Sequence, residues 1–168
     1  MNINDMSLIG DVPARLALMA RDASTAVNEA YFVIKDALTA ENRPAWVVET
    51  AEGDYPPIAS GEYEFTEVYP LVLVGKSYGQ GEDAEHELVV RTIIAQTISY
   101  LVRRPQLVFS NTRSLEAAAL GPLAGVKWIR VSRERVGTIT LGAEDEEFYG
   151  GIIKVTVTGG SAIREIIA

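Results

Sequence analysis

Val126-Lys127-Trp128-Ile129-Arg130-Val131 runs into a basic stretch, 132–141, then an acidic turn, 143–147, and then Phe148-Tyr149-Gly150-Gly151-Ile152-Ile153-Lys154-Val155-Thr156-Val157-Thr158. Two β-rich runs about a short acidic turn read as a sheet-building hairpin, laid down after a long helix. That helix is predicted over about 83–103. Glu82, Asp83, Glu85 and Glu87 open it, where the helix dipole favours negative charge; Arg103 and Arg104 close it, and Pro105 stops it. Its predicted polar stripe is Glu87, Arg91, Gln96, Ser99 and Arg103. Val90, Ile94, Ile98, Leu101 and Val102 are expected to face the core.

Upstream, Tyr63 and Phe65 alternate with Glu64 and Thr66, and Pro70 then precedes the apolar run Leu71-Val72-Leu73-Val74. An alternating half followed by a continuous apolar half suits a strand passing from a sheet edge into a buried, central position. Residues 45–49, with Trp46, read as another strand. Residues 50–61 are turn-rich, and a connection of about 12 residues is long enough to suggest a functional loop. Residues 12–38 read as one helix or two short ones, with Leu16, Met19, Ala20, Ala23 and Val27 near helical spacing. Residues 114–120 read as one more short helix, stopped by Gly121-Pro122. The order predicts an α+β fold, with a mostly antiparallel sheet and the long and N-terminal helices packed on one face. One domain over 1–168 is expected, with 1–10 and 160–168 as flexible ends.

The 168 residues are 48% hydrophobic and contain no cysteine, which removes disulfides, thiolate metal sites and a cysteine nucleophile together. The apolar run at 71–74 falls far short of the roughly 20 residues that span a bilayer, and the polar start has no basic signal region. A soluble, intracellular protein without membrane partners is the expectation. The net charge of -8 argues against binding nucleic acid with the whole surface. Its distribution is more telling. Residues 51–87 hold nine acids against Lys76, and residues 88–143 hold eight bases against Glu116 and Glu134. Opposite blocks on one chain suit head-to-tail self-association, or else two solvated faces that partly neutralise each other within a monomer.

No pattern of residues commits to chemistry. Gly75-Lys76-Ser77 follows a strand, but a phosphate loop needs glycine where Pro70 stands. Gly79-Gln80-Gly81-Glu82-Asp83-Ala84 fits a dinucleotide fingerprint in spacing, yet it would seat a pyrophosphate beside three carboxylates. His86 is the only histidine, too few nitrogen ligands for a transition metal and the only base for a serine nucleophile. Glu144, Asp145, Glu146 and Glu147 lack calcium-loop spacing. No catalytic, metal or cofactor set is therefore expected. Trp46 and Trp128 read as core-filling aromatics, while Tyr55, Tyr78 and Tyr149 lie near turns and suit contacts with partners.

In texture and element order the chain resembles the tail terminator and tail-to-head joining proteins of long-tailed bacteriophages. The resemblance is carried by Trp46-Val47-Val48-Glu49, Tyr69-Pro70-Leu71-Val72-Leu73-Val74, the helix over 82–103, Val126-Lys127-Trp128-Ile129-Arg130-Val131 and Phe148-Tyr149-Gly150-Gly151-Ile152-Ile153-Lys154-Val155-Thr156-Val157. It implies a non-enzymatic virion protein, made in the host cytoplasm, that forms a hexameric ring on the tail tube and docks to head-completion proteins. DNA would only pass through its lumen. Subunits would meet through Arg130, Arg133 and Arg135 against Glu62, Glu64, Glu67 or Glu144, Asp145, Glu146 and Glu147. A small ligand-binding or enzymatic domain and a monomeric adaptor are the competing classes.

Overall fold

Three strands of sixteen or seventeen residues dominate the molecule. The computed structural model describes residues 3–31, 42–49, 52–54, 57–59, 62–79, 81–107, 126–141 and 146–162. In chain order the elements are α1 (Ile3–Asp22), β1 (Glu29–Tyr31), β2 (Ala45–Val48), β3 (Glu52–Asp54), β4 (Pro57–Ala59), β5 (Glu62–Ser77), α2 (Asp83–Val102), β6 (Val126–Leu141) and β7 (Glu146–Ala162). The fold is α+β with a mixed sheet. Its strands run β1-β2-β5-β7-β6, and β3 and β4 pair with the free stretch of β5 beyond β2. β1 is parallel to β2, and the other described pairs are antiparallel.

The pleat sorts side chains by parity. Odd residues of β5 and β7, among them Leu71, Leu73, Ile153 and Val155, join Leu16 and Met19 of α1 and Ile93, Ile94 and Leu101 of α2 in the main core. Even residues Val72, Val74 and Phe148 meet Ile139 of β6 in a smaller cluster on the reverse face. Both faces of β5 are buried at this level, which is why 71–74 is continuously apolar rather than alternating. Each fully buried Leu or Ile there contributes about 1.5–3 kcal/mol of burial free energy.

Four expectations need correction. The N-terminal helix starts at Ile3 and ends at Asp22, and β1 occupies residues expected to be helical. Ser24 ends it: its carbonyl accepts the Val27 amide and its hydroxyl accepts the Ala26 amide, a local turn that competes with the helix. The expected loop at 50–61 contains β3 and β4, because β2 covers only Leu71 to Val74 and leaves the rest of that edge of β5 to be paired. Trp128 is 46% exposed instead of core-filling. A register shift between Val126 and Trp128 sets it opposite Thr158, an even position, so it turns to the reverse face. Val102 is 54% exposed, and Ile93 occupies the core in the stripe where Val102 was expected. The short helix expected over 114–120 lies outside the described residues.

Candidate interaction surfaces

β6 has β7 on one side and no described strand on the other, so among the described residues it is an edge of the sheet. An exposed edge carries a row of backbone groups that invite pairing, and lysine or arginine on it discourages indiscriminate association. Lys127, Arg130, Arg133 and Arg135 are all exposed along this strand, with Glu134 as its one acid. The three predicted arginines share the edge without sharing a face. Arg130 opposes Thr156 and turns to the reverse face, whereas Arg133 opposes Ile153 and borders a cleft against α2. A bulge between Arg133 and Arg135 then returns Arg135 to the reverse face, opposite Ile152. Glu134 uses the same face to reach Lys154, 3.1 Å away.

The other margin of the sheet is acidic. Glu29 of β1 and both ends of β3, Glu52 and Asp54, are exposed. Glu52 opposes Val68 and Asp54 opposes Thr66, so both carboxylates lie on the reverse face, the face that carries Arg130 and Arg135. This acidic strand lies within the stretch 50–61 expected to be loop. Its signal was the spacing Glu-Gly-Asp, two acids on one side of a would-be strand, which the surrounding turn residues concealed. Neither a protein-family model nor a curated protein matches this chain.

The acids named from sequence divide. Glu64 is half-buried and opposes Gly160; Glu62 pairs through its backbone with Ala162. Glu67 faces the helices, is 2% exposed and accepts a hydrogen bond from the Tyr69 hydroxyl, so it offers no surface charge to a neighbouring subunit. Glu146 and Glu147 are exposed at the start of β7 opposite Leu141 and Thr140, next to the basic edge instead of across the sheet from it. Glu144, Asp145 and Tyr55 lie outside the described residues.

Of the contact tyrosines, Tyr78 is exposed and Tyr149 is not. Tyr149 is held between Tyr78, ring centroids 5.4 Å apart, and His86, 5.7 Å apart, and its hydroxyl donates to Asp83 in the first turn of α2. Burial pushes the Tyr149 hydroxyl pKa up, and the Asp83 acceptor and its charge push it further, so it remains a donor throughout the physiological range. The odd position that faces it inward also makes it a pin between β7 and α2. Tyr149→Phe should therefore lower stability by about 1 kcal/mol, the usual worth of one hydrogen bond. Equilibrium urea unfolding measures this; an unchanged midpoint would remove the pin.

Among the described residues no group of three or more His, Cys, Asp or Glu is placed to hold a metal ion, and no helix is long and apolar enough to cross a membrane. Of the clefts beside α2, one is lined by Gln96, Ser99, Tyr100, Arg103 and Arg104, and the other places Arg91 and Arg133 beside Ile94, Ile98 and Val136.

Proposed function

We propose that this chain is a non-enzymatic assembly protein of a long-tailed phage virion, which closes into a ring by head-to-tail contacts, caps the tail tube and presents a docking surface to the head. The observation that carries the reading is the opposite charge of the two sheet margins: four bases against one acid on β6, and Glu29, Glu52 and Asp54 across the sheet. Two like edges repel, so a symmetric edge-to-edge dimer is disfavoured. Two unlike edges attract, so each subunit offers a socket to one neighbour and a plug to the next. Such a heterologous contact builds a ring when the rotation closes and a filament when it does not. The long helix over 83–103 and the N-terminal helix on one side of the sheet would leave the reverse face and both margins to neighbours and partners.

The test is native mass by sedimentation at low and moderate salt. A closed ring, of six subunits on the phage resemblance, is expected at low salt. It should loosen as ionic strength rises, because exposed charges separated by more than about 10 Å are screened at 0.1 M salt. A monomer at every salt and protein concentration would overturn head-to-tail assembly by the protein alone.

A further inference from the structure

We infer that the exposed face of α2 is a second, symmetric contact, on which another copy of this chain docks with its own α2 antiparallel. Leu88 and Val102, at the two ends of one helix, are 65% and 54% exposed. They stand seven residues before and seven after Ala95, and at about 100° per residue the three fall within roughly 20° of one line. The middle of that line is low. Ala95 and Ser99 form the divide between the two clefts that flank the helix, so a second helix can approach closely there.

Charge specifies the occupant and its direction. Glu85 and Arg103 are both exposed, and neither takes part in an ion pair among the described residues. The helical twist puts them on the same flank, each about 80° round from Ala95, with Glu85 about 15 Å toward the N-terminus and Arg103 about 12 Å toward the C-terminus. Arg103 keeps right-handed helical geometry just past the last turn, so this count extends to it. A two-fold axis at Ala95 reverses the second helix and keeps that flank on the same side. Glu85 of each copy then meets Arg103 of the other, twice, while Leu88 meets Val102 twice. On the other flank Arg91 is already paired with Glu87 at 2.7 Å, which leaves it neutral toward a neighbour. On the Glu85 flank the Thr92 hydroxyl is satisfied by its own helix, donating to the Leu88 carbonyl. A parallel two-fold partner would carry Glu85 to the opposite flank, at the level of the other copy's Glu87 and about 27 Å along the axis from its Arg103, and so could not form these pairs.

The contact is isologous, so it is separate from the head-to-tail edges and can be tested without them. The chain has no cysteine, which makes a single Ala95→Cys informative: only a two-fold through residue 95 brings two copies of that thiol together. In the background of Arg130→Glu and Arg135→Glu, designed to weaken the edges from the reverse face and away from α2, oxidised glutathione should convert Ala95→Cys to a disulfide dimer. Thr140→Cys, exposed on β6, should stay a monomer. In the same background without cysteine, Glu85→Arg should weaken the dimer about tenfold through its two symmetric pairs, and adding Arg103→Glu should restore it. Circular dichroism confirms that each variant is folded. A folded Ala95→Cys that crosslinks no more than Thr140→Cys would overturn the inference, and so would a double charge swap that fails to recover the dimer.

Discussion

Gly150→Ala is expected to destabilise the fold by about 3 kcal/mol or more, beyond the usual range for one added methyl, because the obstacle is backbone. Gly150 lies in β7 between Val74 of β5 and Gly137 of β6, in the middle of the sheet. A Cβ built there would sit 2.1 Å from the Leu73 carbonyl oxygen and 3.0 Å from two side-chain carbons of Ile139. Side chains can rotate away, but the Leu73 carbonyl belongs to the central strand and cannot yield without moving β5. For a chain of this length such a loss lowers the unfolding temperature by roughly 10 °C. Thermal unfolding followed by circular dichroism measures it. A midpoint within about 2 °C of the parent would mean that the strands separate there at little cost, a shift too small for a 3 kcal/mol loss.

The hairpin that holds Gly150 and Gly151 is legible in the sequence because β-rich residues flank an acidic turn on both sides. The central position of β5 is legible for a similar reason: four consecutive apolar residues need two buried faces, and the structure supplies the main core on one and Val72, Val74, Ile139 and Phe148 on the other. Beyond such local patterns the sequence is quiet. β3 and β4 exist because β5 is longer than β2, a demand set by a strand elsewhere in the chain, and Gly53 and Pro57 give them the texture of turns. The directions of Trp128 and Arg135 depend on bulges, and one extra residue reverses every side chain beyond it. Tyr149 resembles a surface tyrosine near a turn until parity places it under α2. The charge blocks are visible in sequence as acidic and basic halves. Only the strand order turns them into opposite margins, and only burial removes Glu67 from the acidic one.

Those margins support the other large effect. Changing Arg130, Arg133 and Arg135 together to glutamate makes the β6 edge acidic, and like margins then face each other wherever two subunits meet head to tail. Each exposed pair is worth only about 0.2–1 kcal/mol, but three reversals both remove attraction and add repulsion, so association should weaken roughly hundredfold. The three side chains are exposed, so the monomer should keep its fold. Glu52→Lys with Asp54→Lys should disrupt assembly in the same way from the other margin. All five changes in one chain exchange the two signs and should restore the ring, with low-salt native mass as the measure. An unchanged mass in the arginine variant would take β6 out of the contact. Disruption by both partial variants without recovery in the five-fold variant would mean that each margin meets something other than its opposite. Recovery requires that the two edges touch each other, since exchanging signs on surfaces that never meet can only add one loss to another.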